Sequence, residues 1–106
     1  MTTHIFLVVL AVILSVANGI QWNDGDGAKW ASQCDFNGSD IGSTTGGGET
    51  CGNACKAKSG CTRFAWTNYN GGTCWLKSGP ANGDGAIQNG DPSSMCGYLT
   101  SNNKPG

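Results

Sequence analysis

Apolar positions along the chain form one continuous run and then several short, widely spaced alternations. The run is residues 5–14, IFLVVLAVIL. Further on, Phe64 and Trp66 alternate with Arg63, Ala65 and Thr67, which predicts a strand over Thr62–Asn68. Thr73–Lys77 (TCWLK) repeats the pattern, with Cys74 and Leu76 on one face and Trp75 on the other. Tyr69-Asn70-Gly71-Gly72 between them reads as a hairpin turn. Lys29–Phe36, carrying Trp30, Cys34 and Phe36, predicts a first strand, and Met95–Leu99 (MCGYL) a short closing one. Asn23–Gly27 reads as a turn, and Asn37–Gly48 and Ser78–Asp91 as glycine-rich loops.

One segment has helical character. Glu49–Ser59 (ETCGNACKAKS) begins with an acidic residue and ends with Lys56 and Lys58, the order that the helix dipole favours. Gly60 is placed to end it. Cys51 and Cys55, four apart, project from one helical face. Which face of the sheet meets that helix stays open, because a bulge, or Cys61 lying in the turn, would reverse the assignment.

The apolar run is short for a bilayer span, which takes roughly 20 residues. Small residues at Ala17 and Gly19 follow it, as at a signal-peptidase site. The expectation is a signal peptide over residues 1–19, a domain over 20–99 and a flexible polar tail over 100–106. A retained membrane anchor is the alternative.

The chain has 6 cysteines, all beyond the leader: Cys34, Cys51, Cys55, Cys61, Cys74 and Cys96. An even number in so short a chain reads as a disulfide framework, and hence as a secreted, extracellular protein. With 18 glycines and few large apolar residues in 106 positions, the backbone entropy to be overcome is high and the core thin. Cross-links offset this by restricting the unfolded chain.

Charge and composition exclude more than they assign. The net charge of −1 gives no pull toward nucleic acid or, once the leader is gone, toward an anionic membrane surface. The single histidine, His4, lies in the leader, so Ser-His-Asp and Cys-His catalysis are excluded for the mature chain. No cofactor and no metal site is expected. Asp24 and Asp26 open like a calcium loop, but Ala28, Lys29 and Asp35 stand where further ligands would be needed. Asn82-Gly83-Asp84-Gly85 reads as a solvated turn. Asp35 and Asp40 lack any sign of a shared cleft, so the chain is not expected to be an enzyme.

The order Trp30…Cys34-Asp35-Phe36-x-Gly38, then Cys51-x3-Cys55, then Gly60-Cys61-Thr62-x-Phe64-x-Trp66, then Gly72-Thr73-Cys74-Trp75-Leu76-Lys77, then Cys96-Gly97-Tyr98, resembles the PAN/apple superfamily. The resemblance spans about Trp30 to Leu99 and implies an α+β fold: a small disulfide-rich module with one α-helix packed across a curved antiparallel β-sheet. It also implies the pairs Cys55–Cys61, Cys51–Cys74 and Cys34–Cys96. The loops here are short and glycine-heavy and the charge is low, which departs from members that bind heparin-like polymers.

The resemblance implies a binding module, with a glycan or an extracellular protein as partner. The candidate contacts are Trp22, which either packs on the domain edge or engages a partner, and Tyr69 at the hairpin tip with Asn68 and Asn70 beside it. Trp66 and Trp75, on central strands, are expected in the core. Asn37-Gly38-Ser39 is a sequon for N-glycosylation. Two other readings stand beside the first: a self-assembling subunit of an extracellular fibre, coat or matrix, associating through sheet edges or termini, and a secreted inhibitor or effector of another extracellular protein.

Overall fold

The computed structural model describes residues 19–101. The expected signal peptide, residues 1–19, lies outside them but for Gly19, and so do residues 102–106 of the expected tail, 100–106. Among the described residues, eight strands and one α-helix appear in the order β1 (Asn23–Asp24), β2 (Ala28–Ser32), β3 (Cys34–Phe36), β4 (Asp40–Thr45), α1 (Cys51–Ala57), β5 (Arg63–Thr67), β6 (Thr73–Lys77), β7 (Ala86–Gln88) and β8 (Met95–Leu99). Six strands form one antiparallel sheet in the order β1-β2-β8-β5-β6-β4, and β3 with β7 forms a separate two-stranded ribbon. One helix on an antiparallel sheet, held by three disulfides, is the α+β architecture that the resemblance implies.

Strands β5 and β6 and the hairpin between them stand where the alternation puts them. Asn70 (φ 51°) and Gly71 (φ 83°) make the left-handed turn between them. Strand β8 is not at an edge; it is central, hydrogen-bonded to β2 and β5. The helix is shorter than the sequence suggests. It starts at Cys51 after a 3₁₀ turn over Gly48–Thr50 and stops at Ala57, with Lys58 already extended. Gly60, at φ +85°, makes the turn into β5.

Expectations for three further segments are corrected. The single strand over Lys29–Phe36 is two, because Gln33 takes a left-handed conformation (φ 59°) and turns the chain out of the large sheet into the ribbon. Asn37–Gly48 is not all loop: Asp40–Thr45 is the edge strand β4 on β6. With both faces largely solvated, β4 needs no apolar alternation, so its Ser/Thr/Gly composition concealed it. Likewise Ser78–Asp91 contains β7, which exists by pairing with β3 rather than by burying a face of its own.

Side-chain alternation divides the interior into two clusters on opposite faces of the sheet. Phe64, Cys74, Leu76 and Leu99 point to the helix and pack with Cys51, Cys55 and Cys61; Trp66, Ile41 and Met95 border them. Ala31, Ala65 and Cys96 point the other way, under Cys34 and Phe36 of the ribbon, with Trp22 and Tyr98 alongside. The open question of which face meets the helix is thus settled as that of Phe64, Trp66, Cys74 and Leu76. The bridges are Cys34–Cys96, Cys51–Cys74 and Cys55–Cys61, the pairs that the resemblance implies.

Trp66 packs on the helix-side cluster and donates its indole N–H to Gly46 O at 2.7 Å. Trp75 is not a core residue. Alternation turns it to the outer face, half-buried, where its Nε1 donates to Thr67 Oγ1 at 2.9 Å and its ring meets Tyr69 with centroids 5.8 Å apart. The ribbon sits over β5 and β8 and leaves this part of the sheet uncapped.

Candidate binding cleft

Both helix bridges pull α1 to one side. Cys51 is joined to Cys74 on β6, and Cys55 to Cys61 at the entry to β5. A helix of 7 residues is only about 10 Å long, so it reaches Ala28 at the start of β2 but leaves Trp30 and the near end of β8 uncovered. Over that uncovered area lies a cleft of about 440 Å³, within the roughly 300–1,000 Å³ typical of small-ligand sites.

The sheet supplies its aromatic surfaces. Trp30 on β2, Gly97 on β8 and Phe64 on β5 are cross-strand neighbours in one row. The Phe64 ring lies over Gly97, in the space that a Cβ there would occupy. Nothing at position 97 therefore separates the phenyl ring from the cleft floor. Trp30 is 37% exposed, a large apolar surface left open to solvent. Met95, from the same strand as Gly97, also lines the cleft.

The helix side owes its openness to missing side chains. Gly48 and Gly52 are four apart and both line the cleft. A Cβ on Gly52 would meet Ala28 at 3.8 Å, an ordinary contact, so anything longer would project into the space. Glu49 and Asn53, again four apart and both exposed, are the polar groups of this wall. The Glu49 carboxylate folds back over Gly47.

The third wall is the turn of Gly25 and Asp26, held by Gly25 N–H donating to Ala28 O at 2.7 Å. Lys56 of α1 donates its ammonium to the main-chain oxygen of Asp26, tying this turn to the helix. Beside it, Lys29 and Asp24 form an exposed ion pair at 2.7 Å. The hydrogen bond from Lys29, then its charge, hold the Asp24 carboxyl below the ordinary carboxylate range, and Asp24 raises Lys29 reciprocally. The result is a slot with one indole wall, a phenyl floor and carboxylate and amide groups on the rim. That combination stacks on an apolar face and accepts hydrogen bonds around it.

The candidate contacts taken from sequence lie elsewhere. Trp22 is half-buried: its ring is edge-on to Tyr98 (centroids 5.0 Å apart) and stacked near Phe36 (6.4 Å), in the outer cluster. Tyr69, 58% exposed, and its exposed neighbours Asn68 and Asn70 occupy the hairpin tip with Trp75. The structure therefore groups Tyr69, Asn68 and Asn70 but places Trp22 in a different cluster. Asn37 is exposed in the turn after β3, where Gly38 and Ser39 both have positive φ and Gly38 O accepts from Lys77 Nζ at 3.1 Å. Lys77, buried, also pairs with Asp40 at 2.5 Å, and Asp35 accepts from the N–H of Phe36, so each of these carboxylates has a local partner.

Trp30, Glu49 and Asn53 were missed as site residues. The signal was present as two i,i+4 pairs in one segment, Gly48/Gly52 and Glu49/Asn53: a side-chain-free helical stripe beside a polar one. Its meaning depends on the strand that it faces.

A family model described as PAN domain matches residues 34–77. The match takes in β3, β4, α1, β5 and β6 with both helix bridges. It also holds the helix wall and Phe64 of the cleft, while Trp30, the Gly25–Asp26 turn and Met95 lie beyond it. No curated protein and no solved structure matches the chain.

Proposed function

We propose that this chain, whose residues 34–77 match a PAN-domain family model, is a secreted carbohydrate-binding module of the PAN/apple superfamily, whose modules are typically non-enzymatic and bind protein or carbohydrate, and that it takes a sugar ring in the Trp30 cleft. The observation that carries the reading is the slot itself. The indole of Trp30 stays exposed beside a space kept open by Gly48 and Gly52, with Glu49 and Asn53 on the rim. A pyranose offers a complementary pair of surfaces, an apolar C–H face for the indole and a ring of hydroxyls for the carboxylates and amide. All six cysteines are bridged, which suits an oxidising, extracellular setting. Among the described residues no helix is long and apolar enough to cross a membrane. On this reading residues 1–19 are removed as a signal peptide, the domain spans 20–99, and the chain catalyses nothing.

The test is a glycan array followed by intrinsic-fluorescence titration. The wild-type chain should bind at least one glycan class, with a change in tryptophan emission. Trp30→Ala should lose it. Gly52→Leu, which fills the slot while favouring helix, should lose it too and keep its thermal midpoint. Binding that survives both substitutions would place the ligand elsewhere, with the Tyr69–Trp75 surface the next to vary.

Asn37 is proposed as the site of an N-glycan. It is exposed, and a Cβ on Gly38 beside it would meet open space. It follows directly on β3, whose ribbon covers the face of the sheet away from α1, so a glycan there would leave the cleft clear. A peptide-N-glycosidase shift in mass that disappears in Asn37→Gln would establish it.

Fibre-type self-assembly by strand pairing has less support. The exposed edge strand β4 carries a register break between Asp40 and Gly42, an irregularity that blunts an edge against a neighbouring chain.

A further inference from the structure

We infer that the cleft is charge-selective: it accepts an uncharged pyranose and rejects uronic or sulfated ones, with Asp26 and Glu49 as the selecting residues. The inference deepens the carbohydrate reading above and rests on it. Among the residues lining the cleft, Asp26 and Glu49 are the charged ones, both acidic. Among the described residues no Lys, Arg or His lines it. The cation next to it, Lys56, keeps its charge, but its ammonium is anchored on the main-chain oxygen of Asp26 and against Gly27, and Lys56 is not among the lining residues. Lys29, on the outer side of β2, is paired with Asp24. A ligand carboxylate or sulfate in the slot would therefore meet two like charges on the lining and no lining cation, the nearby Lys56 being already tied to the Asp26 main chain.

The magnitude is set by position. Unit charges about 5–6 Å apart near a protein surface repel by an amount between the bulk-water and protein limits, enough for about a tenfold loss of affinity at low salt. The effect falls as the Debye length shrinks to about 3 Å at 1 M salt. An uncharged sugar escapes this term, and its hydroxyls donate to the same two carboxylates in charge-assisted hydrogen bonds. The acidic pair thus favours one class while opposing the other.

The experiment uses the intact mature chain and paired oligosaccharides of matched linkage. These are a neutral series, the corresponding uronate series, and a sulfated heparin-type oligosaccharide, all read by tryptophan fluorescence at low and high salt. The expected result is that the neutral member binds about tenfold or more tightly than its uronate partner at low salt. The gap should narrow in high salt, and in Asp26→Asn/Glu49→Gln it should close to within about threefold, the neutral sugar binding more weakly than to wild type but still giving a Trp30-dependent emission change at saturation. Equal or tighter binding of the acidic sugars by the wild-type chain overturns the selectivity and leaves the carbohydrate reading standing. So does a gap that persists in the double variant. If neither series gives a Trp30-dependent signal, both the selectivity and the site fall together.

Discussion

On the outer face of the sheet, the β3–β7 ribbon lies over Ala31, Ala65 and Cys96, and Trp22 and Tyr98 pack at its side. On the other face, α1 reaches across only part of the sheet and leaves Trp30 beside open space. The outer cover is held by one bridge, Cys34–Cys96, closing 62 residues; the helix is held by two, closing 23 and 6. Arg63 adds to the outer cover. Its guanidinium lies 3.8 Å from the Phe36 ring centroid and donates to Asp84 O, pinning the loop before β7. The lesson is one of placement. A long-range bridge closes a face, whereas two short-range bridges fix a helix at one position and leave the remaining surface available for a ligand.

The contrast can be broken most forcefully at the bridges. Cys34→Ala with Cys96→Ala should destabilise by about 4 kcal/mol, and Cys55→Ala with Cys61→Ala by about 2 kcal/mol, because the loop released in the unfolded chain is so much longer in the first pair. Urea unfolding of the two double variants measures both. Equal losses would mean that native packing, not loop length, sets their worth.

Next in size is the polar pin on the outer face. Arg63→Met keeps an unbranched chain but loses the charge above Phe36 and the bond to Asp84 O. A loss of about 1–2 kcal/mol is expected from the same unfolding curves. No change would show that the ribbon alone seals that side.

Gly52→Ala acts on the open face with the opposite sign. Its Cβ would sit in ordinary contact with Ala28, and replacing a helical glycine should stabilise by up to about 1 kcal/mol. A raised thermal midpoint in calorimetry checks this. A lowered one would mean that the helix lies closer to β2 than the cleft requires.

The smallest effect is expected at Asp91, in the turn before β8. Hydrogen bonds from the Ser93 hydroxyl and N–H hold its carboxyl below the ordinary 3.8. A carboxyl whose pKa is depressed by folding adds stability above its unfolded pKa and loses it as the pH falls through the folded one. Wild type should therefore exceed Asp91→Asn slightly at pH 6, and the two should converge in acid as the pH falls through the lowered folded value. A constant difference across that range would assign the effect to something other than ionisation.

Much of the frame was legible in the chain. The alternation in TRFAWT and TCWLK fixed β5 and β6, because a strand with one buried face must place its large side chains two apart. Cys51 and Cys55, at helical spacing, marked the buried side of α1. Strands β4 and β7 were hidden for a physical reason: each is held by hydrogen bonds to a partner strand, and main-chain pairing leaves no mark on side-chain pattern. Trp75 shows the same limit, since its side of the sheet was readable but whether anything covered that side was not.

What the amino-acid sequence determined alone was the set of local units: the central hairpin, the helix carrying two cysteines, and the need for oxidised sulfur in a chain so rich in glycine. The cleft was decided only by tertiary structure. Trp30, Phe64, Gly52 and Glu49 come from separate strands, the helix and the 3₁₀ turn before it, and line one cleft only because two bridges hold a short helix where it leaves the Trp30 end of β2 open. Exposure of that indole is set by how far its neighbours reach, and reach across a fold is not written in the spacing of residues along it.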